Sequence, residues 1–378
     1  MKRPLLSTTC LLAFVVAITA GAADVEDEVA IPADLMDDLL GTTVSVGLRG
    51  SAGFKDNVLL TETDRIESTF LRAEIDAFVW RPPAVLTDFY WALSGAETRY
   101  VDAPGDARHE RMWMTQGELR YAIGTYFKAG LTVQGYHQDQ VLDLSAIGVG
   151  TFRARLKVYG VTAGPNLRWE IRNPWWFEVS AAWKLETYDG ADADYDEPGT
   201  VLRLGRKLGR RHDASVAWLW RGRGYHNRNA YTVGGRPLPG TSLSTHWNQA
   251  ELRFVSKWSA SWSTTLKVAG DQLRDPASGY FDYDHWRADI YVAWRRDPWR
   301  VRLTASRGDY EYLIQIAGTG FDPPPREIKQ TRAALGAERK ITDKLAAFAE
   351  LETERFRTNE TGGSYRLNTA LAGVAYDF

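Results

Sequence analysis

The feature that most constrains this chain is a two-residue rhythm that recurs along nearly all of it. In His285–Trp294, Trp286, Ala288, Ile290, Val292 and Trp294 fall on one parity, while His285, Arg287, Asp289, Tyr291 and Ala293 fall on the other. Side chains two apart share a face of a β-strand, so this stretch is a strand with one apolar and one charged face. Trp stands at both ends of the apolar face. A soluble sandwich would bury that face and would rarely place Trp at both ends. In a membrane barrel, Trp and Tyr mark the two water–lipid boundaries around an aliphatic band. The alternation returns in Leu71–Val79, Gln116–Ile123, Phe127–Gln134, Phe177–Glu186, Arg300–Ala305 and Ala347–Glu354. It returns less cleanly in Ser215–Arg223, where Leu219 interrupts the polar side. No convincing helical period competes with it from Thr43 onward.

The connections sort into two kinds. Short links at 81–86, 124–125, 172–174, 209–213, 257–261, 295–298 and 341–344 alternate with longer ones around 55–64, 102–109, 139–150, 189–198, 224–244, 272–281, 309–325 and 358–364. Membrane barrels have short turns at one rim and long loops at the other, and an even strand number brings both chain ends to the same rim. The expected fold is therefore all-β: a closed antiparallel transmembrane β-barrel of about sixteen strands, with short periplasmic turns and long extracellular loops. Fourteen or eighteen strands are the neighbouring counts. Two places leave the number open. Residues 151–171 read as one long strand bent near Gly164-Pro165 or as a loop followed by a strand, and Val201–Leu208 carries Arg203, Arg206 and Lys207 on both faces. Closure is obligatory, because lipid offers no water to an open sheet edge. The last strand, 365–378, must pair with the first, near 43–53.

The chain opens with Met1-Lys2-Arg3, a short apolar run at 11–18 and Ala20-Gly21-Ala22, the pattern of a secretory signal over residues 1–22. Cys10 precedes the apolar run, the wrong side for a lipoprotein, and cleavage after Ala22 leaves no cysteine and hence no disulfide. Residues 23–41 form an acidic periplasmic segment in which Leu35 to Leu39 suggests a short helix opened by Pro32 and closed by Gly41. It reads as a leader before the barrel or as a plug for a basic lumen. The barrel itself is residues 42–378. A net charge of −2 gives no reason to expect nucleic acid. Tryptophan is abundant, with 15 residues, and several sit at short turns. Trp175, Trp176, Trp258, Trp262 and Trp299 are expected in a periplasmic girdle, and Trp113, Trp247 and Trp286 in an outer one.

On the last strand Ala370, Ala372, Val374, Tyr376 and Phe378 share one face. This ending resembles the closing strand of bacterial outer-membrane β-barrel proteins. In those, the terminal Phe and the aromatic residue two positions earlier are read by the barrel-assembly machinery, a role the resemblance gives to Phe378 and Tyr376. The pattern as a whole is similar to porin-type barrels of Gram-negative bacteria, as a class rather than one family. The resemblance implies residence in the bacterial outer membrane, contact with its lipids, small polar solutes as cargo, and a homotrimer as one form of assembly. Gly53–Val58 is also similar to the Gly-Tyr-Asp-x-Asn-Val stretch opening some porin-like and surface-protein-export barrels, with Lys55 at the first acidic position.

A barrel of about sixteen strands is wide enough to hold water. Arg153, Arg155, Lys157, Arg203, Arg221 and Arg223 lie in the middle of the strand order and are expected to line the pore as a basic wall. Glu74, Asp76, Glu350, Glu352 and Glu354 lie near its ends and are expected to form an acidic wall opposite. The alternative is local pairing of these charges between neighbouring strands. The loop at 224–244 is the first candidate for folding inward, and 309–325 the second. Enzyme signatures are weak: six scattered histidines, no nucleophile elbow and no P-loop. No catalytic residue, cofactor or metal site is assigned. Glu350, Glu352 and Glu354 read as lumen lining, and Asp192, Asp194 and Asp196 as a solvated loop. Passive or selective uptake of small polar solutes is the expected function. Export or assembly of a surface polymer or protein, and a closed structural or adhesive barrel, are the competing ones.

Overall fold

The computed structural model describes residues 42–81, 87–143, 153–172, 174–189, 193–318 and 321–378. The expected signal segment and acidic segment lie outside the described residues, as does Asp192. Sixteen strands follow in order: β1 Thr43–Lys55, β2 Ser68–Arg81, β3 Thr87–Tyr100, β4 His109–Ile123, β5 Phe127–Asp143, β6 Arg153–Arg172, β7 Trp175–Asp189, β8 Tyr195–Lys207, β9 His212–Tyr225, β10 Ser244–Lys257, β11 Trp262–Arg274, β12 Tyr283–Arg296, β13 Trp299–Ile316, β14 Pro325–Lys340, β15 Leu345–Thr358 and β16 Tyr365–Asp377. Each strand pairs with the next, and β16 pairs with β1 to close the barrel. Both open points in the strand count are settled by these bounds. Residues 153–172 are one strand, and Val201 to Lys207 belong to β8.

The seam between β1 and β16 runs from Gly47 opposite Asp377 to Lys55 opposite Thr369. Gly53 lies in that seam, and a Cβ there would come within 2.6 Å of the Ala370 carbonyl and 2.4 Å of the Phe70 ring. Above it, Asp56 accepts from the backbone and side-chain amides of Asn368, at 2.6 and 2.5 Å. Asn57 is fully buried. Its Nδ2 donates to the Thr61 and Arg366 carbonyls, and its Oδ1 accepts from Thr61 N. The Gly53–Val58 stretch thus staples the first loop to the last strand.

In β6, Pro165 offers no N–H to the ladder. Beside it, a Cβ on Gly164 would lie 1.8 Å from the Ala181 carbonyl of β7, so only glycine allows the strands to meet there. The aromatic residues divide by parity. Trp175, Trp258, Trp262 and Trp299 are exposed at the short-turn rim, and Trp113 and Trp286 on the outer face. Trp176 and Trp247 were expected in the girdles but are buried on the inward face. Trp176 Nε1 donates to Asp213 at 3.2 Å, with the Arg168 guanidinium 4.2 Å from its ring. Outward Arg339, at the short-turn rim, lies over the Trp299 ring.

Candidate functional site in the barrel lumen

Inward parity creates two unlike halves of the lumen. Toward the long-loop rim, inward side chains meet in one buried cluster that is broadest over β5–β13, with Tyr136, Leu156, Val158, Leu219, Trp247, Leu273 and Tyr310, and reaches Leu60, Ile328, Phe356, Tyr365 and Leu367 on the opposite side. Two loops join it. From 226–243, Tyr231 stacks on Tyr280 with ring centroids 5.7 Å apart and meets Phe281 edge-on at 5.2 Å. Arg228, 2% exposed, lies with its guanidinium 5.2 Å from the Tyr225 ring and 4.7 Å from Phe281. Among the described residues its Nε and Nη2 have no hydrogen-bond partner, and burial lowers its pKa from the ordinary value. The loop at 226–243 therefore folds inward, as expected. The second candidate does not: Tyr310 and Tyr312 belong to β13 itself, and Phe321 projects fully into solvent.

Charges threaded through this filled half are satisfied at close range. Arg223 donates through Nε and Nη2 to Glu197 Oε2 at 2.8 and 2.6 Å, and through Nη1 to Tyr225 OH at 3.2 Å. Arg221 lies 3.9 Å from the same carboxylate and covers the Trp247 ring at 4.5 Å. Trp247 Nε1 donates to Asp271, whose other oxygen is 2.7 Å from His285 Nδ1. Lys184 pairs with Glu186 and donates to Tyr195 OH.

The other half is hollow below the residues packed at its long-loop end, among them Val58, Phe70, Tyr100 and Phe356. A cavity of about 520 Å³ is lined from β1–β5 and β12–β16, and a second of about 390 Å³ opens at the short-turn rim. Both are lined by Arg302, Gly336 and Glu350, so they adjoin. Their charges alternate in sign along the path. Arg49 and Arg300 each reach Glu338 at 3.3 Å; Arg302 pairs with Glu350, Arg332 with Glu352 at 2.6 Å, and Arg287 with Asp289 at 2.9 Å. Nearer the long loops, Glu354 accepts from Tyr365 OH at 2.6 Å, and Lys55 reaches Glu110 at 3.3 Å.

The residues expected to line the pore divide accordingly. Glu74, Asp76, Glu350, Glu352 and Glu354 share the inward parity of β2 and β15, and Arg203, Arg221 and Arg223 that of β8 and β9. Arg203 lies 3.6 Å from Glu251. Two wholly basic and acidic walls do not form, because nearly every one of these charges has an opposite partner nearby. Arg155 and Lys157 are corrections. They share the parity of exposed Val161 and Leu167, and pair on the outer face with Asp139 and Asp189. Their inward neighbours are Leu156 and Val158. Here β6 rises past the lipid boundary, where the outer face meets water and can carry charge. The Arg153 side chain lies outside the described residues. Tyr376 and Phe378 project outward, exposed, with rings 4.9 Å apart. Asp194 and Asp196 are occupied locally, by Tyr188 N and the His226 ring. The inward Gln138, Glu197 and Asp271 were missed as lumen contacts, whereas Lys184 and Glu186 fall on the polar parity read for Phe177–Glu186 though they were not named as pore lining.

The outer surface decides what surrounds the molecule. All sixteen strands expose a large apolar side chain on the outward parity, among them Leu48, Leu71, Leu131, Val161, Leu252, Ile290, Leu351 and Val374. A closed sheet, greasy outside and charged within, satisfies its backbone only when lipid encircles it. The chain is a transmembrane β-barrel. No protein-family model and no curated protein matches the sequence. Among solved structures it is similar in outline to OccAB1 of Acinetobacter baumannii, with 9% identity over 89% of this chain and 97% of that one and a TM-score of 0.49. An anion-selective porin from Comamonas acidovorans shows 10% identity over 89% and 99%, with a TM-score of 0.47. A bacterial polysaccharide outer-membrane secretin shows 11% over 88% and 97%, with a TM-score of 0.41.

Proposed function

We propose that the protein is a porin-like channel that lets small polar and charged solutes cross the outer membrane along the hollow side of the lumen. The supporting observation is the pair of adjoining cavities whose walls carry charges of both signs. A solute with its own charge can exchange places with one member of a wet ion pair, whereas an apolar solute must strip water from both members and replace nothing. The test is conductance of the purified barrel in a planar bilayer. Arg302→Gln and Arg332→Gln unpair Glu350 and Glu352 beside the path and should move the reversal potential in a salt gradient toward cation selectivity. Arg221→Gln lies in the filled half and should move it far less. An equal response from all three would reject the path.

The filled half favours one second reading, a closed structural or adhesive barrel. Complete absence of conductance, with the protein folded, would establish that reading over the first. The proposal extends to two partners: the barrel-assembly machinery, engaging Tyr376 and Phe378, and further copies of the chain in a trimer, tested by the mass of the detergent-solubilised particle.

A further inference from the structure

Charge on the outer face near the long loops is neutralised on most of the circumference. Arg99 and Arg111 share Glu97, at 3.1 and 3.5 Å. Arg155 pairs with Asp139, Lys157 with Asp189 and Arg274 with Asp284. The face of β14–β16 is different. Lys329 stands directly opposite Arg357 across β14 and β15, and Arg355 directly opposite Arg366 across β15 and β16. All four are exposed. Like charges directly opposite each other weaken a sheet, so two such pairs side by side require compensation. Lys329 reaches Glu327 at 3.4 Å. Among the described residues, no carboxylate lies within ion-pair distance of Arg355, Arg357 or Arg366.

Their height in the wall is informative. Below them on the outward parity come Thr353 and Asn368, joined at 2.9 Å, and below those Leu335, Leu351 and Ala370. Arg355 stands ten positions above Leu345, the first residue of β15. At about 3.3 Å per residue and a tilt of about 40°, that is roughly 25 Å of height, the thickness of the apolar band of such barrels. The arginines therefore meet the headgroups of the outward leaflet.

We propose that Arg355, Arg357 and Arg366, with Lys329, form a binding site for the phosphate of an anionic lipid headgroup in that leaflet. Guanidinium forks hold phosphate oxygens through paired hydrogen bonds, and a phosphate monoester seated among them removes the like-charge repulsion across both pairs. The acyl chains then lie over Leu335, Leu351 and Ala370. The site is independent of solute passage, since these side chains face away from the lumen.

The test is native mass spectrometry of the full mature barrel in detergent with diphosphoryl lipid A, dephosphorylated lipid A and inorganic phosphate as separate probes. Wild type should retain diphosphoryl lipid A at least about tenfold more strongly than the dephosphorylated lipid. The combined variant R355Q/R357Q/R366Q should lose about that factor, and R99Q/R111Q should bind as wild type does. Heat-modifiable migration on gels verifies that each variant is folded. If the combined variant does not fold, wild type alone decides: lipid A retention should fall steeply between about 0.1 M and 1 M salt, as the Debye length shrinks from about 10 Å to about 3 Å. Undiminished binding by the combined variant, indifference to the lipid's phosphates, or salt-independent retention would overturn the proposal. So would inorganic phosphate that protects the barrel from heat as well as the lipid does, because the site would then be one for free ions.

Discussion

Removing the Tyr231 ring should open the filled half of the lumen. Tyr231 is 5% exposed and holds the loop 226–243 against Tyr280 and Phe281. Truncating a buried aromatic ring to alanine costs about 3–5 kcal/mol, of which about 1–3 kcal/mol belongs to the two ring contacts. The loop base stays tied by Tyr225 N to the Leu243 carbonyl and by His226 N to the Asp194 carbonyl, so the loss falls on docking rather than on the barrel. At about 1.4 kcal/mol per factor of ten, Tyr231→Ala raises the undocked population by about 10²-fold to 4 × 10³-fold. Single-channel recording reads this as long dwells at a second, larger conductance, absent in wild type, while Tyr231→Phe keeps the wild-type pattern. Arg228 supplies a change of opposite sign. Its partly unsatisfied guanidinium opposes docking, so Arg228→Met added to Tyr231→Ala should shorten the dwells at the larger conductance. Identical conductance histograms for Tyr231→Ala and wild type, with the ring gone and the barrel folded, would refute the assignment of this loop as the occluding element.

Three further outcomes are expected. Arg223→Ala strands the buried Glu197 carboxylate and should cost about 3–5 kcal/mol in urea unfolding followed by tryptophan fluorescence, while Arg223→Met with Glu197→Met should recover most of it. Asn57→Ala removes four hydrogen bonds from a fully buried staple; a loss of about 1–3 kcal/mol should appear as a lower temperature for disappearance of the folded gel band. Gly164→Val sets carbon atoms where the Ala181 carbonyl lies, and its refolding yield should fall well below that of a valine placed at Gly50, where a Cβ meets nothing within 4 Å.

The outer face was legible because lipid accepts few substitutes: in β12, Trp286 to Trp294 name their parity without help from any neighbour. Loop lengths then supplied strand number and closure. The lumen was less legible, and β6 shows why. Charge was read as inward at Arg155 and Lys157, a rule that holds only within the bilayer. Following Trp169, Leu167 and Val161 upward along the strand would have kept the parity and turned both residues outward. Partners such as Glu197 for Arg223 or Glu251 for Arg203 depend on the register of adjacent strands, which a single strand's pattern does not contain. Trp176 and Trp247 were misplaced for a related reason. An indole suits a lipid boundary and a lumen with an acceptor equally well, and their acceptors, Asp213 and Asp271, stand on other strands.

The staple at Asp56 and Asn57 has a temporal meaning. Its partners are 312 and 309 positions away along the chain, so it engages only after every intervening hairpin exists. Neighbouring hairpins can zip as they emerge, but the contact that seals the circle is the most distant and is the last to be made. A chain truncated before Tyr365 therefore loses the strand that closes the circle, and its sheet is left with two unpaired margins.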